Sequence, residues 1–250
     1  MEENDEEKEK KRENVFPISK ISFHNCTIHL ECLTPEGRNE AADLLTSVDL
    51  TGIMLWPASF LLSSFICSQD AAKYFKNKSV IEIGCGAGMC GLFCAYRGAT
   101  EVTLSDEKSY VTELAERNIT RNQKDIEKVN PSIKSMNAIV YSWNKFNEQN
   151  NQLRNHYDVV VSSDTVYSRS SVKDFASGIF ELLKIGGRAY LAYPFREKGL
   201  VEEFHNLLDK IGLKTIEVRD LIPEEHFVLI DEDIHQKYPY TLRILEKFQI

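Results

Sequence analysis

The sequence predicts an α/β fold: seven strands in one sheet, mostly parallel with the last antiparallel, flanked by helices and preceded by a short N-terminal β extension. Three features lead there. After Lys76, short β-branched runs alternate with helical patterns at the spacing of βαβ units. The first of these runs passes straight into a glycine-rich turn and then a helix. The last two are separated only by IPEEHFVLIDEDIHQKYP, which is polar and punctuated by Pro223 and Pro239, so an antiparallel finish is the economical connection.

The elements follow in order along 250 residues, a length that suits one domain of ordinary size or two small ones. Residues 1–16 carry seven acids and four bases with no apolar period, so they are expected to be a disordered tail. They contain no apolar h-region, so no secretory signal peptide is read there and export is not expected. Residues 17–45 form the β extension, because ISKISFHNCTIHLECL alternates apolar and polar residues around His24, Asn25 and Cys26 as a hairpin does. The sheet domain spans 46–250 and opens with a linker and a helix, in which Pro57 sits in the first turn and apolar spacing runs through Phe65 and Tyr74. Strands are then predicted at VIEIG, EVTLSD, NAIVYSW, DVVVSSD, GRAYLAYP, LKTIEVRD and YTLRILEKFQI. The helices between them are MCGLFCAYRGA, YVTELAERNITRN, Ser170 to Leu183 and EKGLVEEFHNLLDKIG.

Charge and cysteine usage narrow the function. Thirty Lys and Arg against 38 Asp and Glu give a net charge of −8, without the basic footprint of a protein that grips nucleic acid. A cationic partner suits it better. No stretch approaches the roughly 20 apolar residues of a membrane span. Six cysteines in a chain this long do not make a disulfide scaffold and are read as reduced thiols in a cytoplasmic protein, with nuclear residence left open. Cys85, Cys90 and Cys94 could suggest a metal, but Cys90 and Cys94 lie one helical turn apart as packing residues do, so no metal is expected.

The sharpest signal is VIEIGCGAGMCG at residues 80–91. Glycines at 84, 86 and 88 let the backbone turn tightly and approach a bound molecule, beside the free N–H groups of the next helix. Asp106 ends the following strand 20 residues after Gly86, where a carboxylate can accept from ribose hydroxyls. Gly86, Gly88 and Gly91 also satisfy GxGxxG, so the loop by itself admits a dinucleotide. Context favours S-adenosylmethionine: about 80 residues precede the turn, and Glu82 could sit near an α-amino group that NAD lacks.

The run E-x-G-x-G-x-G at 82–88, with Asp106 and the strand order, resembles the Rossmann-like, class I S-adenosylmethionine-dependent methyltransferases. Leu55-Trp56-Pro57-Ala58-Ser59, Trp143, and Ser163-Asp164-Thr165-Val166-Tyr167 are similar to the family 16 methyltransferases, whose members modify lysines of proteins such as chaperones, elongation factors and calmodulin. The resemblance covers roughly residues 50–195. It implies that Trp56 lies over the methionine end of the cofactor, with Gly84, Gly86 and Gly88 beneath and Glu82 supporting the loop. It further implies that Asp106 holds the ribose, Trp143 stacks near the adenine, Ser163 contacts the cofactor, and Asp164 with Tyr167 forms a DxxY motif at the substrate mouth. The implied activity is methyl transfer to a lysine of a protein substrate by a monomer, with no nucleic acid or membrane partner. A protein histidine, an arginine or a small amine is the alternative acceptor. Phe195 and Arg196 line the substrate channel or cap the sheet, and the hairpin and segment 220–239 match nothing in the family pattern.

Each candidate also has a structural reading. Asp106 could cap the helix that begins at Lys108. Either tryptophan could be a core residue.

Overall fold

The structure is a computed structural model and describes residues 16–33, 50–143, 148–166, 169–194, 198–221 and 240–249. The tail before residue 16, Tyr167, Phe195, Arg196 and segment 222–239 therefore lie outside the described residues.

Strands β1 (Ile18–Phe23) and β2 (Cys26–Glu31) pair antiparallel through a two-residue turn at His24 and Asn25, with His24 at φ 51°. Alternation gives β2 a buried face of Cys26, Ile28 and Leu30. That face joins the core of the main domain rather than standing apart.

Seven strands make the main sheet: β3 (Ser79–Ile83), β4 (Glu101–Asp106), β5 (Ser135–Val140), β6 (Tyr157–Ser163), β7 (Leu183–Pro194), β8 (Leu213–Leu221) and β9 (Tyr240–Lys247). Their order is β5-β4-β3-β6-β7-β9-β8. β3 to β7 are mutually parallel, and β9 inserts antiparallel between β7 and β8, as expected. Central β3 is buried at every position, which is why it reads as an apolar run apart from Ser79 at its start and Glu82.

The helices are α1 (Pro57–Cys67), α2 (Ala72–Phe75), α3 (Met89–Tyr96), α4 (Ser109–Val129), α5 (Val172–Leu182) and α6 (Lys198–Lys210). Residues of α1, α3, α4 and the hairpin pack against one face of the sheet, and those of α5 and α6 against the other. The connections leaving β3 and β6 therefore diverge, and their carboxyl ends flank a crevice, the usual ligand position in open α/β sheets.

Several boundaries depart from the sequence reading, among them the following three. The expected helix through Tyr74 breaks after Cys67, because Ser68 turns to extended backbone while Arg97 Nη2 donates to its carbonyl at 3.0 Å. α4 runs to Val129 instead of ending near Asn122, since Ile126 continues the buried stripe and Asn130 Nδ2 then donates to Ala95 O (2.8 Å) and Ala99 O (2.7 Å). β5 stops at Val140, which leaves Tyr141–Trp143 in the loop at the sheet's carboxyl edge.

Candidate active site

A cavity of about 440 Å³ opens at the carboxyl ends of β3, β4 and β6, within the range of small-ligand sites. Its floor is the turn after β3. Cys85 N donates to Ser105 O (2.9 Å) and Gly88 N to Cys85 O (2.8 Å), so the chain reverses within four residues. Gly84 and Gly86 have φ of 64° and 53°, a region that favours glycine. Both line the cavity. A Cβ on Gly84 would meet Thr165 Cγ2 at 2.8 Å, and one on Gly86 would meet Gly52 O at 3.2 Å. The bare backbone is thus what lets Thr165 and the Gly52 carbonyl come close to the loop.

Gly88 and Glu82, which the sequence reading also assigned to the cofactor site, are not among the residues that line the cavity. Gly88, at φ 84°, faces the sheet, and a Cβ there would lie 2.4 Å from Leu104 Cδ1. Gly91 is equally tight against Leu104 Cδ2, at 2.3 Å. The second and third glycines of the GxGxxG match are therefore explained by close helix-to-sheet packing. Glu82 is 1% exposed and lies behind the loop, where its Oε2 accepts from Gly91 N at 2.8 Å. Burial raises its pKa to about 8, against the opposing pull of the Gly91 and Cys90 donors. The bond to Gly91 N is the loop support the sequence reading gave it.

Asp106 does stand on the cavity wall. Gly86 N reaches its Oδ2 at 3.4 Å and Lys108 N its Oδ1 at 3.3 Å, so it serves the loop and the start of α4 together. Burial raises its pKa, and the three backbone N–H donors of Lys108, Gly86 and Glu107 resist that rise.

Trp56 and Trp143 are both half-buried and line the cavity. Trp56 precedes α1 and donates from Nε1 to Thr51 O at 2.9 Å. Trp143 packs edge-to-face on Phe175, ring centres 5.3 Å apart, and stands beside Gly84. Ser163 ends β6 on the wall, with Cys90 Sγ 4.0 Å from its hydroxyl.

Asp164 follows in left-handed backbone at φ 54°, a conformation that costs about 1 kcal/mol or more outside glycine and is commonest at functional positions. Its N–H donates to Ala192 O at 2.9 Å, and its Oδ2 accepts from Ala58 N at 3.0 Å in the first turn of α1. The carboxylate therefore sits on a helix N-terminus, with Pro57 leaving one N–H fewer to compete for it. The structure brings Gly84, Gly86, Asp106, Trp56, Trp143, Ser163 and Asp164 around one cavity. The other half of the DxxY motif, Tyr167, lies outside the described residues.

Sequence reasoning missed Thr51, Gly52, Met54, Glu107, Lys108 and Tyr110, which also line the cavity. Adjacency to Asp106 was a usable signal for Glu107 and Lys108. Nothing local marked the 50–54 turn, whose place over the glycine loop arises from tertiary contact.

These residues fit S-adenosylmethionine. The carboxylate of Asp106 can accept from a ribose diol, the indoles and Leu55 and Met54 give apolar walls for a purine and a thioether chain, and the glycine floor admits close approach. Asp164 adds a further carboxylate to the cavity wall. Among the described residues no cluster of three or more His, Cys, Asp or Glu could hold a metal, and all six cysteines are free and buried. No described helix is long and apolar enough to cross a membrane.

A family model described as lysine methyltransferase matches residues 45–210. The chain is 34% identical over 174 residues to a calmodulin-lysine N-methyltransferase of Arabidopsis thaliana, covering 68% of this chain and 54% of that one. It is 30% identical over 190 residues to a histidine protein methyltransferase 1 homolog of Dictyostelium discoideum, covering 73% and 57%. The chain thus spans about half the length of the curated relatives it matches. Among solved structures, a SAM-dependent methyltransferase from Methanosarcina mazei superposes with a TM-score of 0.55 at 15% identity, covering 73% of this chain and 99% of that one. The cyclase SpnF superposes at 0.57 and 13% identity, covering 88% and 98%, so the fold does not by itself fix the reaction.

Two measurements check the loop. Because the folded-state pKa of Glu82 lies above its ordinary 4.5, its contribution to stability is full below that value and is lost as pH rises toward about 8. Urea unfolding across this window should show wild type losing stability relative to Glu82→Gln by up to about 1.4 kcal/mol per pH unit. A difference that is flat with pH contradicts the buried, proton-holding carboxyl. Gly88→Ala should destabilise by about 3 kcal/mol. Gly186→Ala, with φ 76° but nothing within 4 Å of the new Cβ, should cost only about 1 kcal/mol. Equal costs would remove the packing explanation.

Proposed function

The chain belongs to the lysine methyltransferase family, and on that premise we propose that it transfers a methyl group from S-adenosylmethionine to a lysine side chain of a protein substrate. The observation that carries the reading of a nitrogen acceptor is the Asp164 carboxylate, held at the cavity wall by Ala58 N at 3.0 Å, and the family description supports lysine. An anionic group at that mouth attracts a cationic ammonium and then accepts a hydrogen bond from the amine it becomes.

S-adenosylmethionine, when bound, supplies an electrophilic methyl group on a sulfonium. The rest falls to this chain's residues, and positioning dominates. Asp106 and the Gly84–Gly86 backbone hold the nucleoside, while Trp56 and Trp143 exclude water from the cavity between them. A free lysine amine has a pKa of about 10.4 and attacks only when neutral; an apolar, half-enclosed mouth lowers that value by desolvation. Asp164 orients the neutral amine through a fixed Oδ, which its anchor on α1 keeps in place. Tyr167, three residues on, is assigned to the same mouth by its place in the sequence motif.

A second acceptor is kept because one 30% identical relative bears the name of a protein histidine methyltransferase. The same anionic mouth accepts an imidazole N–H, so the acceptor type rests on chemistry at the substrate rather than on the cofactor half. In either case the protein substrate is the reading, in the cytoplasm, with the chain acting as a monomer.

Incubation with radiolabelled S-adenosylmethionine and cell extract, followed by mass spectrometry of the labelled band, checks this. Label is expected on a lysine of a protein; label on histidine supports the second acceptor, and label confined to small molecules overturns both. Asp164→Asn should lower kcat/KM about 100-fold while leaving S-adenosylhomocysteine affinity within about threefold. Full activity in that variant contradicts the role of Asp164.

A further inference from the structure

The N-terminal hairpin contributes no wall to the cavity, yet it is keyed to the glycine loop through one side chain. Asn118 on α4 is wholly buried. Its Oδ1 accepts from Glu31 N at 2.7 Å, and its Nδ2 donates to Glu31 O at 2.9 Å and to Ala87 O at 3.0 Å. Both of its donor hydrogens and its acceptor are thus committed, to the hairpin on one side and to the loop on the other. Ala87 lies between Gly86 and Gly88, where no bulky side chain anchors the turn, so the direction of its carbonyl depends on that bond.

One turn along α4, Asn122 repeats the hairpin half of the arrangement only. His29 N donates to its Oδ1 at 2.8 Å, and its Nδ2 donates to His29 O at 2.7 Å and to Asn118 O at 2.8 Å. Together the two amides act as a surrogate strand edge for β2, but only Asn118 touches the loop. Glu31 fixes the register: its buried carboxylate accepts Arg117 Nε at 3.1 Å and Nη2 at 2.9 Å, with Arg121 Nη2 at 3.6 Å. Beyond β2, Leu33 N donates to Ile53 O at 3.2 Å, so the hairpin's exit also steadies the turn whose Gly52 O lies over Gly86. Cys32, Leu33, Ile53, Ala87, Val111 and Leu114 pack as one small core beneath these bonds.

We propose that Asn118 is a positioning residue that couples the docked hairpin to the glycine loop, so that affinity for the S-adenosyl nucleoside depends on a segment that never contacts it. The inference rests on the cofactor reading above. Coupling of this kind is reciprocal: if the hairpin orders the loop, a ligand on the loop must order the hairpin.

Titration calorimetry with S-adenosylhomocysteine on the full chain compares wild type, Asn118→Ala and Asn122→Ala. Asn118→Ala should weaken binding about tenfold and Asn122→Ala less than about threefold, although both loosen the hairpin. Equal losses, or none, overturn the proposal. Should Asn118→Ala fail to fold, amide hydrogen exchange on wild type decides it. Ligand is expected to slow exchange at the His29 and Glu31 amides as well as in residues 84–92, and protection confined to the loop overturns the coupling. Absence of any binding to wild type would instead remove the cofactor reading, and this inference with it.

Discussion

A chain leaving the carboxyl end of a buried central strand must reverse into a helix without filling the crevice beside it. The hydrogen bond from Gly91 N to the buried Glu82 carboxyl meets that constraint. It draws the first turn of α3 down onto β3, and this closeness is what forces glycine at 88 and 91 against Leu104. With the helix so placed, Gly84 and Gly86 let Thr165 and the Gly52 carbonyl close against the turn. The hydroxyls of Ser105 and Ser162, each 2.7 Å from a β3 carbonyl, pin the strand end from its two neighbours. Burying an acid here would be costly if it were charged; its raised pKa keeps it neutral over much of the working range.

Two of the three carboxylates that line the cavity, Asp106 and Asp164, are held by different elements. Asp106 is held by loop and helix amides, and Asp164 by the N-terminus of α1. Backbone N–H groups thus help to orient both side chains at the cavity wall. The cost is borne in the backbone at Asp164, whose left-handed conformation is the price of aiming the side chain. Anchoring the DxxY aspartate on the helix that Trp56 introduces also ties the two halves of the mouth together across 106 residues of sequence.

Much of this was legible in the sequence, because periodicity and glycine spacing are local. β4 begins and ends where its pattern says, and the antiparallel last strand follows from the proline-marked connection before it. What escaped was set by distant partners. The end of α1 depends on Arg97, 29 residues away, and the Asn118 bonds span 87 and 31 residues. The glycine pattern showed that backbone must come close to something but not to what: at 84 the neighbour is Thr165, at 86 it is the Gly52 carbonyl, and at 88 it is Leu104. Glu82 was legible as the support of the loop, but alternation along a strand buried on both faces gives no hint of which amide it would meet.

The fold is shared with a cyclase as well as with methyltransferases, so the account stands on the chemistry of the crevice. Equilibrium binding of S-adenosylhomocysteine and of NADH to wild type and Asp106→Ala tests it. The account predicts one saturable S-adenosylhomocysteine site that Asp106→Ala weakens severely, and no competition by NADH. Preference for NADH, or S-adenosylhomocysteine binding indifferent to Asp106, would contradict it.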